Sequence, residues 1–373
     1  MKNYIYLVTF ILGTRPEAIK IAPVIKEFLL SKKIKVRILL TGQHHEMVYQ
    51  ILNLFQISAD RDLKLMSPKQ TLTHITCQSL YGLEEDFKQN KPDLVIVQGD
   101  TSTAFAGALA AFYSKIPIAH IEAGLRTKNK NSPYPEEINR RLISQLADLH
   151  FAPTKLAKDN LNKSGITKNV FVTGNTVIDA LLKIAVNVNL PDIKNLDWDK
   201  NKVILVTVHR RENWGKNLED ISIAIDKLAK NRDDICFLIP MHKNKIVRET
   251  LTSKLSDQKN IFLTEPLNYD QLIGSIKKCY LVMTDSGGLQ EEVPTFGKPV
   301  LVLRENTERE EAIEAGTAKL IGSKTNKIIN EVLLLLENKS IYNRMAKSIN
   351  PFGDGKSSGR ILLHCLEYLE KAK

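Results

Sequence analysis

The sequence predicts an α/β protein built from two doubly wound parallel-sheet domains facing a central cleft. Three observations predict this. Short apolar runs rich in β-branched residues alternate with longer stretches of helical periodicity along the whole chain. The apolar runs lack the in–out alternation of a half-exposed strand, so both of their faces are covered, as in a parallel sheet flanked by helices. A chain of 373 residues is also too long for one comfortable hydrophobic core.

The elements follow in order. In the first half, strands are expected at 4–12, 36–40, 94–97, 116–121, 149–151 and 170–172. In the second half they are expected at 203–208, 235–239, 261–263, 281–283 and 300–303. Ala18, Ile21, Ala22, Ile25 and Phe28 share one face at helical spacing, so a helix follows the first strand, with Pro23 expected to kink it. The polar stretch 187–200, which contains Pro191, reads as the linker between the two series. The closing segment 357–368 reads as a helix. The domains are drawn at 1–180 and 181–354, with 355–373 as the closing piece.

Composition excludes several classes. Hydrophobic residues at 43% and charged residues at 25% are ordinary for a soluble globular protein. Cys77, Cys236, Cys279 and Cys365 are far apart and form no C-x-x-C pair, which argues against a disulfide framework or zinc site and fits a cytoplasmic location. The apolar run 4–12 leads into Gly13-Thr14-Arg15-Pro16 rather than a small-residue cleavage site, so it reads as a buried strand and not a signal peptide. No segment approaches the ~18 apolar residues of a membrane span. The net charge is +11, but the lysines are scattered and no basic run is interleaved with aromatics. That pattern argues against a nucleic-acid partner and for a basic surface that attracts a small polyanion.

Ligands of open parallel sheets sit beyond the carboxyl ends of the strands. In this sequence those ends carry Gly13-Thr14-Arg15-Pro16-Glu17, Thr41-Gly42-Gln43-His44-His45, Gln98-Gly99-Asp100 and His120-Ile121-Glu122-Ala123-Gly124. In the second half they carry His209-Arg210-Arg211-Glu212-Asn213, Pro240-Met241-His242 and Thr284-Asp285-Ser286-Gly287-Gly288. Each could be a turn; their joint placement marks a ligand-binding edge.

Ser286-Gly287-Gly288 opens a helix over 289–292, where glycines allow close backbone approach and free N–H groups suit a diphosphate. The plainer reading is a turn capped by Asp285 or Ser286. No Walker motif is present and no G-x-G-x-x-G follows the first strand, so nicotinamide and flavin binding have little support. Glu292, one turn into that helix, suits ribose hydroxyls; a surface acid paired with Lys298 is the alternative, and it fits Glu291 better. Asp100, Glu122 and Glu136 could divide acid and base roles. The alternatives are an N-cap for Asp100 and a first-turn helix acid for Glu136. His209, followed by two arginines, reads as a neutral imidazole or as part of a cationic cluster at a leaving phosphate, with Arg15, Arg210 and Arg309 as further phosphate candidates.

Ten segments then combine: GTRPEAIK (13–20), TGQH (41–44), QGDT (98–101), HIEAGLRT (120–127), SPYPEEINR (132–140), TGNTVIDAL (173–181), HRREN (209–213), TDSGGLQEE (284–292), TER (307–309) and NPFGDG (350–355). In this order, over nearly the whole chain, they resemble the bacterial non-hydrolysing UDP-N-acetylglucosamine 2-epimerases. The resemblance implies two Rossmann-like domains of glycosyltransferase-B type, the C-terminal helix returning to the first domain, and a homodimer. It implies a reaction without metal or redox cofactor: UDP leaves carbon-1 to give 2-acetamidoglucal, then adds back with protonation on the other face of carbon-2. The product, UDP-N-acetylmannosamine, would serve surface polysaccharide biosynthesis. A hydrolysing epimerase releasing N-acetylmannosamine and UDP, a 2-epimerase of a modified UDP-hexosamine, and a glycosyltransferase on the same fold are the rival readings.

By the same resemblance, Asp100, Glu122 and Glu136 match the acid/base carboxylates and His209 the histidine at the diphosphate. Arg15, Lys20, Arg140 and Arg309 match substrate contacts. Ser286, Gly287 and Gly288 match the diphosphate loop, Glu292 the ribose ligand, and Leu267 and Leu272 the uracil site. Gln43, Arg210 and His242 match a second UDP-N-acetylglucosamine pocket, an activator site in some members. The chain departs from the pattern in two places. Glu310 stands where the family reads proline after TER, and Glu46 and Lys69 stand where activated members have glutamine and arginine. Lysine does not reproduce the forked recognition of arginine.

Overall fold

The computed structural model describes residues 4–43, 45–65, 71–127, 129–131 and 133–371; His44, Lys69 and Ser132 lie outside them. The chain forms two compact units, Met1–Ala180 with Phe352–Lys373, and Leu181–Pro351.

The first unit holds a seven-stranded sheet of order β3-β2-β1-β4-β5-β6-β7. Its strands are β1 (Tyr6–Leu12), β2 (Ile34–Leu40), β3 (Arg61–Asp62), β4 (Leu94–Gln98), β5 (Ile118–Ile121), β6 (Leu149–Ala152) and β7 (Val170–Val172). The second holds a six-stranded sheet of order β10-β9-β8-β11-β12-β13. Its strands are β8 (Lys202–Thr207), β9 (Ile235–Pro240), β10 (Ile261–Thr264), β11 (Leu281–Thr284), β12 (Val300–Val302) and β13 (Ala318–Leu320). Every ladder is parallel. Both units are therefore Rossmann-like and doubly wound, as the sequence predicts. All eleven expected runs overlap strands. The edge strands β3 and β13 escape prediction because Arg61–Asp62 and Ala318–Leu320 are too short and too polar to stand out.

In each sheet the winding reverses beside its first strand, between β1 and β4 and between β8 and β11. Loops after these strands flank the crevice where such sheets take ligands. The central strands are buried on both faces, which explains their uninterrupted apolar sequence. Helix Arg15–Leu29 buries Ala18, Ile21, Ala22, Val24, Ile25 and Phe28, with Pro23 inside it. Phe28 meets Phe10 of β1 edge to face, 5.2 Å between ring centroids.

Helix Ser357–Lys371 packs on Arg15–Leu29 within the first unit. Its first N–H groups are capped by the buried Asp179 carboxylate, 3.2 Å from Ser357 N and 2.7 Å from Ser358 N, and His364 stacks on Phe171 at 3.8 Å. The segment 187–200 belongs to the second unit. There Asp199 pairs with Lys278, and Gly274 leaves room for the Asn189 carbonyl, which a Cβ would meet at 2.8 Å.

Candidate active site

The loops beside β1 and β4 are latched together by Glu17. Its carboxyl, 1% exposed, accepts from Gly13 N (2.9 Å), Thr14 N (2.7 Å) and the Thr101 hydroxyl (2.5 Å). Burial pushes its pKa up against these donors. Thr101, not Asp100, caps helix Ser102–Tyr113, accepting from Ala104 N at 3.0 Å. Asp100 is thus spared the capping role. It pairs with Arg140 at 2.6 Å, while its side chain stays 22% exposed. Asn139 Nδ2 donates to its backbone carbonyl at 2.9 Å. Burial raises the Asp100 pKa and the nearby Glu122 charge adds to it, while Arg140 and Lys20 oppose the rise.

Glu122 follows β5 with φ 65°, a left-handed conformation uncommon for residues other than glycine. Lys20 pairs with it, Gln98 Nε2 donates at 2.5 Å and Asn175 Nδ2 at 3.2 Å. Gly99, at φ +72°, is the turn that brings Asp100 beside it. His120 lies fully buried beneath, its Nε2 2.7 Å from the Gly99 carbonyl; burial drives its pKa down to about 3, so it is neutral. Glu136 opens helix Glu136–Leu146, and one of its oxygens, Oε2, is buried without a partner among the described residues. Arg15 is half-buried at the start of its helix. Gln43 accepts from the Thr103 hydroxyl at 3.0 Å, beside the same loops.

The second unit gathers cations instead. His209 follows β8 and stacks on His242, 5.8 Å between ring centroids. Burial lowers the His209 pKa; Asp285 opposes this, and His242 and Arg210 reinforce it. Asp285 follows β11 and is fully buried. Thr284 accepts from Ser286 N at 2.9 Å and bonds Thr207 across the sheet at 2.6 Å, setting the loop that opens helix Gly287–Glu292. At Gly287 a Cβ would lie 3.0 Å from Glu308 Oε1 and 3.3 Å from Arg309 Cζ, so these two side chains pack against its bare backbone.

Arg309 pairs with Glu291 at 2.8 Å and with Glu308 at 3.0 Å. Glu308 also meets Arg210 at 3.3 Å and Arg304 at 2.7 Å. Burial alone would raise the Glu308 pKa, but Arg309 and Arg304 pull it down to about 2. The expectation that Glu291 is a surface acid is corrected. It is 2% exposed, and its ion pair is with Arg309, not Lys298. Glu310 is the exposed first residue of helix Glu310–Glu314, where a negative charge suits the helix start, and Glu291 and Glu308 hold Arg309 without a following proline. Glu292 is 8% exposed; Leu267 and Leu272, after β10 and in the first turn of helix Tyr269–Lys278, are half-buried.

The structure thus brings Lys20, Asp100, Glu122 and Arg140 together in one unit. In the other it brings together His209, Arg210, His242, Ser286, Gly287, Gly288 and Arg309. Sequence reasoning placed Glu17, Gln98, His120, Asn175, Asn213 and Glu308 within its motifs but gave none of them an individual role. Glu17 had a legible signal, the Thr14-x-x-Glu17 spacing of a capping box. Among the described residues no group of three His, Cys, Asp or Glu is arranged to hold a metal ion.

The chain is therefore a tandem of two Rossmann-like α/β units, each with its charged loops at the reversal point of its sheet. A family model for UDP-N-acetylglucosamine 2-epimerase matches residues 26–365. A UDP-N-acetylglucosamine 2-epimerase of Neisseria meningitidis is 48% identical over 356 residues, covering 93% of this chain and 96% of the relative. The crystal structure of a UDP-GlcNAc 2-epimerase from Neisseria meningitidis bound to UDP-GlcNAc aligns with TM-score 0.88 and 46% identity, over 97% of this chain and all 100% of that one. The Methanocaldococcus jannaschii UDP-GlcNAc 2-epimerase in complex with UDP-GlcNAc and UDP aligns with TM-score 0.78 and 36% identity, over 97% and 99%. The chain belongs to the UDP-N-acetylglucosamine 2-epimerase family.

Proposed function

We propose that this protein interconverts UDP-N-acetylglucosamine and UDP-N-acetylmannosamine without hydrolysis, in the cytoplasm, for surface polysaccharide biosynthesis. The chemical obstacle is the carbon-2 proton, which no neighbouring carbonyl acidifies. Removing it while UDP departs from carbon-1 places the developing electron pair in a carbon–carbon double bond, giving 2-acetamidoglucal. Re-addition of UDP with protonation of carbon-2 from the opposite face completes the inversion. Two carboxyls in unlike surroundings can divide such proton transfers.

The observation that carries this reading is the Asp100–Glu122 pair. Burial and the Glu122 charge raise the pKa of Asp100, fitting it to carry a proton, while Lys20, Gln98 and Asn175 converge on Glu122. Glu136, with its unpartnered buried oxygen, is the third candidate for proton transfer. In the second unit, Ser286, Gly287, Gly288, His209 and Arg309 would hold the diphosphate, Glu292 the ribose, and Leu267 and Leu272 the uracil. Arg15, Lys20 and Arg140 would contact the sugar end. Gln43, Arg210 and His242 are the candidates for an activator site.

Turnover of UDP-N-acetylglucosamine in deuterated water tests the reading. Nucleotide-linked product deuterated at carbon-2 is expected. Unlabelled product overturns the elimination mechanism, and free N-acetylmannosamine released with UDP at the turnover rate assigns the protein to the hydrolysing class.

A homodimer is proposed as well. Tyr81 at 68%, Phe112 at 55% and Tyr113 at 71% exposure lie on the adjoining helices Leu72–Gln89 and Ser102–Tyr113, and Tyr81 and Tyr113 line a pocket of about 590 Å³ together with Leu80 and Phe87. Such a surface favours self-association. Sedimentation equilibrium at twice the chain mass is expected.

A further inference from the structure

We infer that Asp285 is a positioning residue that fixes the tautomer of His209, presenting a bare Nε2 to the ligand. The inference deepens the proposed epimerase reading and rests on it for the role of His209.

The two oxygens of Asp285 do different things. Oδ2 is occupied by the chain itself: it accepts from His209 N at 3.0 Å, Arg210 N at 2.9 Å and Asn213 Nδ2 at 3.0 Å. Those three bonds bind the loop after β8 to the loop after β11, across the reversal point of the sheet. Oδ1 faces the imidazole, 3.3 Å from His209 Nδ1, and is 3.2 Å from His209 N. The carboxyl is fully buried. Asn213 is held in turn by the Leu303 carbonyl at 3.0 Å, and the Trp214 indole donates to the His209 carbonyl at 3.3 Å. The backbone of His209 is therefore anchored on both sides, and only its ring is left to be set.

A carboxylate offers only acceptors. A bare Nδ1 lone pair at this distance from Oδ1 is repelled, whereas an Nδ1–H is attracted. The neutral imidazole therefore carries its proton on Nδ1 and leaves Nε2 free. The other charged or titratable groups around the ring are His242 and Arg210. Arg210 is partly engaged by Glu308, and neither group offers Nδ1 an acceptor as close as Asp285. When a diphosphate arrives, Nε2 can take a proton and become a cation held between two anions. As the carbon-1–oxygen bond breaks, its electron pair stays on the phosphate oxygen, which the Nε2–H then stabilises.

The test uses the full chain labelled with ¹⁵N-histidine, with His209 assigned by the signal lost in His209→Asn. In the wild-type protein, under conditions where the ring is neutral, long-range ¹H–¹⁵N spectra should show His209 protonated at Nδ1 and bare at Nε2. Asp285→Asn puts an amide where the carboxylate was and should move the proton to Nε2. It should lower kcat by about 100-fold while changing KM far less. A wild-type His209 protonated at Nε2, or an Asp285→Asn protein that keeps both the Nδ1–H signal and kcat, overturns the inference. If that variant does not fold, the wild-type spectrum decides alone. If the wild-type protein fails to epimerise, the functional reading falls while the spectrum still reports on Asp285 and His209.

Discussion

The two units share a winding order but use charge in opposite ways. At the β1–β4 reversal the working groups are acids held by cations: Asp100 by Arg140, and Glu122 by Lys20. At the β8–β11 reversal they are cations and an imidazole held by acids: Arg309 by Glu291 and Glu308, and His209 by Asp285. The order of strands around the reversal is the same in both. What differs is the residue placed one or two positions beyond each strand. In the proposed reading, Asp100 after a glycine turn serves proton transfer, and His209 with a glycine-opened helix holds an anion. On that reading, one topology serves two chemistries through loop content.

The sharpest way to break that contrast is to remove charge from one side and watch which quantity moves. Asp100→Asn is nearly isosteric and removes the carboxyl proposed to carry the proton. It should lower kcat by about 1,000-fold and leave UDP affinity, which the proposal assigns to the other unit, unchanged. Steady-state kinetics and UDP titration calorimetry separate the two effects. A variant that loses UDP affinity and keeps kcat would erase the proposed division of labour.

Acidification should strike the first unit through its interior. His120 on β5 lies opposite His150 on β6, and burial lowers their pKa values to about 3 and about 4. Both are depressed below the unfolded value near 6.5. The stability they contribute is therefore fully present above that pH and is lost as the unfolded chain takes up protons that the folded chain refuses. Between pH 7 and pH 5 the loss should reach at most about 4 kcal/mol for the pair. Urea midpoints measured across this window should fall in the wild type and fall less in His120→Gln. Equal slopes would show that His120 is not the cause.

The fold was readable because a central parallel strand must be apolar on both faces, and such runs stand out. Edge strands such as Arg61–Asp62 need only backbone pairing and leave no such mark. The positions of the site residues were readable for a related reason, since polar groups directly after apolar strands are conspicuous: Asp100, Glu122, His209 and Ser286 all lie there. Their partners were not. Glu291 looks like a surface acid because nothing local announces that Arg309, 18 residues later, will meet it. Asp285 looks like a helix cap because its true donors, His209, Arg210 and Asn213, lie 72 to 76 residues earlier. Glu17 was the exception, since its donors Gly13 and Thr14 are local.

The smallest expected effect sharpens the comparison from the second unit. Burial holds the His209 pKa below its usual value in the free protein, and a bound diphosphate should raise it. Binding then draws in a proton. The contribution of His209 to UDP affinity is full below its free pKa and declines as pH rises through its bound pKa, by up to about tenfold per unit between the two. UDP titrates in the same range, so the quantity to follow is the ratio of wild-type to His209→Asn affinity, in which the nucleotide's own titration cancels. That ratio should fall severalfold between pH 6 and pH 8, and calorimetry in buffers of different ionisation enthalpy should show greater proton uptake by the wild type than by His209→Asn. A flat ratio would mean that the imidazole near Asp285 serves as a neutral contact. The second unit would then hold UDP through Arg309 and the Ser286–Gly288 backbone without the charge change that sets it apart from the first.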